Sequence, residues 1–306
     1  MANQFKGEAA HSAEYFGDTR DHWWNGDFLR LMAQRWKLEA VREVLDVGCG
    51  VGHWGMLLAS VMEPNVRVTG VDCEPIWITR ASARALSRGL NGRFSYVRAE
   101  AERLPFPDNS FDLTTCQTLL IHLAEPAAAL AEMLRVTKPG GLVAVAEPNN
   151  LSAALLLDSI SNQASIEDVL ALVRFQLTCE RGKVALGQGD NSLGDRVPGL
   201  FAAQGLTDIQ VHVNDKATAL FPPYADGAQR AFSEEARDHV TRRLWNWTED
   251  ETRRLFLAGG GADGDFRAHF KRALASRRDV VRGLEDQTYH GVVGGPLYLI
   301  AGRKPA

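Results

Sequence analysis

Residues Val44-Leu45-Asp46-Val47-Gly48-Cys49-Gly50-Val51-Gly52 constrain the fold more than any other stretch of the chain. An apolar run meets an acid and then three glycines at alternate positions, and a helical pattern begins at His53. Glycine has no Cβ and tolerates positive φ, so the backbone can turn sharply there and a ligand can lie against it. The helix that follows offers free N–H groups and the positive end of its dipole. The segment reads as strand, turn and helix around a polar, nucleoside-like ligand. The dinucleotide fingerprint places a further glycine three residues after the second of its pair. His53 stands at that position here, so the turn alone leaves the ligand open.

The bulk numbers narrow the class. The chain has 306 residues, 45% of them apolar and 24% charged, with a net charge of −4. That composition is ordinary for a globular protein with a sizeable core. A sequence pI near 6.1 lacks the basic balance of a nucleic-acid binder, and Arg242-Arg243 and Arg253-Arg254 read as solvated helix faces. Residues Met1 to Lys6 lack the apolar core of a secretory signal, and no apolar run reaches the roughly 18–20 residues of a membrane span, so a cytoplasmic protein is expected. The cysteines Cys49, Cys73, Cys116 and Cys179 form no C-x-x-C pair, and no metal site is expected.

Along the chain, residues 12–40 carry Trp23, Trp24, Phe28, Leu31, Met32 and Trp36 at helical spacing. Strands are expected at 41–47, 66–71, 94–98, 111–116 and 142–146, with helices at 53–62, 78–90 and 126–136 between them. This alternation implies βαβ units and a parallel sheet. Ligands bind such sheets beyond the carboxyl ends of the strands, where Asp46, Gly48, Asp72, Glu100, Cys116 and Gln117 all fall. Beyond residue 150 the pattern changes. Residues 151–187 read as helices and 199–205 as a short one. Strands 208–213 and 296–301 are separated by some 80 mostly helical residues. The domain reading is therefore a helical segment or lid at 1–40, an α/β core at 41–217 with a helical insertion at 151–200, a helical cap at 218–290 and a last core strand at 291–306.

Four motifs, in order and at consistent spacing, resemble the class I S-adenosylmethionine-dependent methyltransferases, and among them the ubiquinone- and menaquinone-type small-molecule group. They are Leu45 to Gly52, Gly70-Val71-Asp72, Ala99 to Phe106, and Leu134-Arg135-Val136-Thr137-Lys138-Pro139-Gly140-Gly141. The resemblance covers roughly residues 40–147. It implies an α/β, Rossmann-like sheet, parallel with one antiparallel edge strand, carrying an additional helical cap. It implies S-adenosyl-L-methionine as cofactor. Gly48 and Gly50, with Cys49, would let the backbone approach the methionine and ribose. Asp72 would accept both ribose hydroxyls, with Cys73 beside it. Glu100 and Ala101 would meet the adenine; many relatives have Asp in place of Glu100. Gln117 would line the methionine end, Asp46 would fix the turn or hold the ammonium, and Tyr15 would close over the cofactor.

A sulfonium methyl is already electrophilic, so such an enzyme works by in-line positioning and water exclusion. Trp23 and Trp24 are candidates for cation–π contact with it, or for core. Should the acceptor lose a proton, His122 or Glu147 could act as base, or Tyr289 and His290 could reach in from the cap. Transfer to an oxygen or nitrogen of a small molecule is the expectation, with a homodimer permitted and neither nucleic acid nor membrane as partner. Three other readings stand beside it: a nicotinamide-dependent oxidoreductase, a non-catalytic cofactor-binding protein on the same scaffold, and a thiolate site built from Cys49, Cys73 and Cys116. The N-P-P-Y type motif of base-methylating members is replaced by Cys116-Gln117-Thr118-Leu119.

Overall fold

The computed structural model describes residues 17–306; Tyr15 lies outside them. A sheet of seven strands forms the centre: β1 (Glu43–Val47), β2 (Arg67–Asp72), β3 (Phe94–Arg98), β4 (Phe111–Gln117), β5 (Thr137–Pro148), β6 (Thr207–Val213) and β9 (Leu297–Arg303), in the order β3-β2-β1-β4-β5-β9-β6. β1 pairs in parallel with both β2 and β4, so the strand order reverses beside it. That reversal opens the crevice in which doubly wound sheets take their ligands.

One strand is antiparallel, but it is not at the edge. β9 runs antiparallel to β5 on one side and to β6 on the other, so β6 is the outermost strand. Side-chain chemistry accounts for this. β9 carries Leu297, Leu299, Ile300 and Ala301, all buried, whereas β6 is largely exposed on both faces and bears Asp208, Gln210 and His212. A continuous apolar strand needs cover on both sides, and a polar one tolerates the unpaired edge.

Helices cover both faces. On one lie α1 (Gly26–Arg35), α2 (His53–Ala59) and α3 (Pro75–Ser87), burying Phe28, Leu29, Met32, Trp54, Leu58 and Ala85 with Val44, Leu113 and Ala144 of the sheet. Residues 24–40, read from the sequence as part of a helical segment or lid, pack on the sheet: Trp36 and Leu38 are 2% exposed. On the other face α4 (Pro126–Val136) and α6 (Val197–Ala203) bury Leu130, Met133 and Phe201 against Leu45, Val143 and Ile300.

The remaining helices form the cap. α5 (Ile166–Ala185) precedes β6. α7 (Gly227–Thr241), α8 (Glu249–Ala258) and α9 (Asp263–Glu285) precede β9. Local caps mark their starts: Ser165 accepts the Asp168 N–H, Asp226 and Gln229 form a reciprocal capping box, and Thr248 accepts the Glu251 N–H. The insertion and the cap, read from the sequence as separate units, pack as one. Phe175 and Cys179 of α5 share a core with Trp245, Trp247, Leu255, Phe256, Phe266 and Phe270. At the crossing of α5 and α8 two glycines let the backbones touch. A Cβ on Gly182 would lie 1.7 Å from the Leu255 carbonyl oxygen, and one on Gly259 would lie 1.9 Å from that of Thr178. A two-stranded ladder absent from the sequence reading, β7 (Thr218–Leu220) with β8 (Gly291–Val293), ties the neck of the cap. Residues 151–163, read as helical, form only short 3-10 turns.

Candidate cofactor and acceptor site

The turn after β1 is built as its glycines require. Gly48, Gly50 and Gly52 have φ of +66°, +52° and +75°, a region costly for any side chain. The close approach at Gly48 is independent of φ: a Cβ there would stand 2.6 Å from Cδ1 of Leu119. The Cys49 N–H donates to the Val71 carbonyl at 2.8 Å, which stitches the turn to β2. Asp72, 5% exposed at the end of β2, takes the Gly50 N–H on Oδ2 and the Glu74 N–H on Oδ1, each at 3.0 Å. Its carboxylate is therefore an architectural acceptor first. Each oxygen keeps a lone pair for another donor. Burial pushes its pKa up, opposed by those two N–H bonds.

Asp46 sits beneath the turn. Its Oδ2 accepts the Gly55 N–H at 2.9 Å, fixing the start of α2, while Oδ1 is buried with no partner. Burial pushes its pKa up to about 7, against the Gly55 bond and with help from the nearby Asp72 charge. Gln117, at the end of β4, is 8% exposed, and neither its amide oxygen nor its nitrogen has a partner. Buried amide groups without partners are rare in native proteins. The Tyr96 hydroxyl is a third buried, unpartnered group, and sequence reasoning missed it. Its ring fills the space above two glycines, since Cβ atoms on Gly52 and Gly70 would lie 2.5 and 2.6 Å from it. Gly70 is its register partner in β2, a pairing that only the folded sheet reveals.

The other expected residues distribute as follows. Cys49 is buried beside Gly70, and burial drives its thiol well above the ordinary range. Cys116 behaves likewise and points its Sγ at Glu147 Oε1, 3.7 Å away. Cys73 is half-buried, and its carbonyl accepts from Arg98 Nε at 3.0 Å. Glu100 is exposed in the turn after β3, and Ala101 beside it is buried. Glu147 is fully buried. Its Oε1 accepts the Leu119 and Leu120 N–H groups at 2.9 and 2.8 Å, Oε2 has no partner, and burial lifts its pKa to about 7. It holds the turn after β4. His122, at the end of that turn, is exposed. Tyr289 does not reach toward the sheet: it is buried in a small cap core with Leu220, Tyr224 and Leu284, and its hydroxyl donates to Asp158. His290 beside it is exposed. Trp24 packs on Trp54 at 4.9 Å as core, and Trp54 donates through Nε1 to Thr115. Among the described residues no three His, Cys, Asp or Glu side chains are grouped to hold a metal. No described helix is long and apolar enough to cross a membrane.

S-adenosylmethionine has the groups these residues lack. Its ribose diol would offer two donors to Asp72, its ammonium would suit the unpartnered oxygen of Asp46, and its carboxylate and ammonium would suit the two ends of the Gln117 amide. The residues therefore fit the cofactor. A sheet of this order, with a glycine turn after β1 and an acid closing β2, agrees with the resemblance to the class I S-adenosylmethionine-dependent methyltransferases. Residues 44–141 match the family model described as a methyltransferase domain. The ubiquinone/menaquinone biosynthesis C-methyltransferase of Ectopseudomonas mendocina is 37% identical over 121 residues, covering 39% of this chain and 47% of that protein. Cycloartenol-C-24-methyltransferase 1 of Oryza sativa subsp. japonica is 30% identical over 188 residues, covering 55% of this chain and 54% of the relative. The chain thus spans about half the length of the curated relatives it matches. Among solved structures, a Bacillus halodurans C-125 protein provisionally assigned as a methyltransferase superposes with a TM-score of 0.52 at 21% identity, over 92% of this chain and all of that one. The [4+2]-cyclase SpnF superposes with a TM-score of 0.50 at 20% identity, over 92% of this chain and 82% of that one. These two likenesses show the fold.

Proposed function

We propose that the chain transfers a methyl group from S-adenosylmethionine to a small-molecule acceptor. The observation that carries this is the convergence of the glycine turn, Asp72 and the unpartnered amide of Gln117 at the carboxyl ends of adjacent strands. The cofactor supplies an electrophilic methyl on a sulfonium. The protein's own residues do the rest. Gly48 and Gly50 admit its backbone, Asp72 takes the ribose, Glu100 and Ala101 border the adenine, and Asp46 and Gln117 hold the amino-acid end. Cys49 and Cys73 flank these contacts.

The acceptor, in this reading, lies between the carboxyl edge of the sheet and the cap, and an oxygen or nitrogen nucleophile is the first expectation. The curated relatives quoted above are named as C-methyltransferases, which makes carbon the alternative to test beside it. Where the acceptor loses a proton, His122 is the base we assign. Glu147, whose carboxylate is occupied with backbone N–H groups, positions the turn that carries His122.

Calorimetric titration with S-adenosylhomocysteine and, separately, with the nicotinamide dinucleotides tests the cofactor. Methyl release across phenols, quinols, sterols and amines tests the reaction. Binding of S-adenosylhomocysteine with no dinucleotide binding supports the reading; no binding at millimolar concentration refutes it. The second reading is cofactor binding without methyl transfer. Tight cofactor binding with no methyl release to any class would support that one.

A further inference from the structure

The turn from Thr118 to Leu123 is gripped from two directions. From the sheet, Glu147 holds its Leu119 and Leu120 N–H groups at 2.9 and 2.8 Å. From the cap, Lys183 of α5, 6% exposed, donates through Nζ to the Ile121 carbonyl at 2.9 Å and faces Asn191 Oδ1 at 3.4 Å. Gly189 presses on the same spot: a Cβ there would lie 2.4 Å from the Ile121 oxygen and 2.7 Å from the His122 carbonyl carbon. Outward of the turn, Leu119 lies against Gly48 of the cofactor turn, and Gln117 directly precedes it. Lys183 is itself fixed to the cap, because its neighbour Gly182 is in backbone contact with Leu255 of α8.

We propose that Lys183 is a positioning residue that couples the cap to the cofactor turn, its ammonium setting the Thr118–Leu123 turn against Gly48. The inference rests on the assignment of Gly48 and Gln117 to cofactor binding. A buried ammonium is a costly group to keep for packing alone. Its neighbourhood is built for it. Glu180 on its own helix is 4% exposed and held by Gln176 Nε2 at 2.9 Å and the Ser192 hydroxyl at 2.7 Å. Asp190 in the following loop, Glu251 on α8 and Glu147 on β5 also act on the ammonium, and Arg254 acts on Glu251. Burial draws the Lys183 pKa down to about 8 against those acids. The charge is therefore present at neutral pH and lost in mildly alkaline solution.

The test uses the full chain and compares the wild type with two variants, Lys183→Met and Lys183→Arg. Methionine keeps the apolar stem and removes the donors; arginine keeps a charge at every accessible pH. For Lys183→Met at pH 7, S-adenosylhomocysteine affinity should fall about tenfold, the lower bound for a hydrogen bond from a charged group. Deuterium uptake in the peptide spanning 117–123 should rise with it. Wild-type affinity should weaken above pH 8, and in Lys183→Arg that alkaline limb should vanish while affinity at pH 7 stays within about threefold. A folded Lys183→Met with wild-type affinity and exchange overturns the proposal. Should that variant not fold, an alkaline limb that persists in Lys183→Arg overturns it instead. Should the wild type bind no S-adenosylhomocysteine, the cofactor assignment fails, and unchanged exchange at 117–123 in Lys183→Met then overturns the clamp by itself.

Discussion

Replacing Asp72 with asparagine separates the architectural role of this residue from its role toward a ligand. In the wild type, Oδ2 accepts the Gly50 N–H and Oδ1 the Glu74 N–H, both at 3.0 Å. Asparagine retains one oxygen, so one of these N–H groups meets an amide NH2 and loses its acceptor. A hydrogen bond to a charged group contributes about 1.5–3 kcal/mol. Burial of the carboxylate, which pushes its pKa up, offsets part of that loss once the charge is gone. A net cost of about 1–2 kcal/mol follows, or roughly 1.5–3 °C in Tm for a chain of this size. The ribose diol would lose one charged acceptor as well, so S-adenosylhomocysteine should bind about tenfold more weakly or worse, tenfold being about 1.4 kcal/mol. Asp72→Ala, with both acceptors removed, should be worse on both counts. Differential scanning calorimetry reads the first effect and isothermal titration the second. A folded Asp72→Asn that binds S-adenosylhomocysteine within twofold of wild type refutes the ribose assignment. A lowered Tm with unchanged affinity would leave Asp72 as the brace of the turn and nothing more.

Gly182→Ala should lower Tm and expose the segment 187–262 to protease. The new methyl would meet the Leu255 carbonyl, and overpacking of this kind costs about 1–3 kcal/mol. Gly264→Ala, with open space around it, should leave Tm within about a degree, and equal Tm values for the two variants would dismiss the crossing as a constraint. Stability should decline as pH rises from 5 to 7.5. Asp46, Glu147 and Glu235 each have a pKa raised by burial to about 7, so the native state holds protons that the unfolded chain releases near 4. Their contribution is complete below that value and lost as pH passes through 7. His212, whose pKa burial lowers, acts in the opposite sense. A Tm that is level or rising across this window contradicts the raised carboxyls, and Glu147→Gln should make the decline shallower.

The cofactor half of the site could be read from the chain because its parts are local. A strand, a glycine turn and a helix occupy consecutive residues, and the acid closing β2 is tied to the same turn by one hydrogen bond. The strand expected at 94–98 and the helix expected at 126–136 form with those bounds, and the strand expected at 111–116 runs one residue further, to Gln117. Other features were not legible in this way. Glu147 was visible as a polar residue ending a strand, yet its work on the Leu119 and Leu120 amides depends on where the turn after β4 comes to lie. Tyr289 was placed before the last strand and suggested a group reaching in, whereas the small core at the base of the cap takes it out of reach.

The sequence by itself determined the alternation of strands and helices and the chemistry of the turn, since φ freedom, side-chain period and helix starts are properties of neighbours along the chain. Tertiary structure alone decided three things. β9 lies inside β6, α5 joins the cap through Gly182 and Gly259, and Lys183 reaches the carbonyl of Ile121, 62 residues away. Each is a contact between distant segments, fixed by which surfaces could be buried together and by backbones close enough to touch, and no local pattern encodes that proximity.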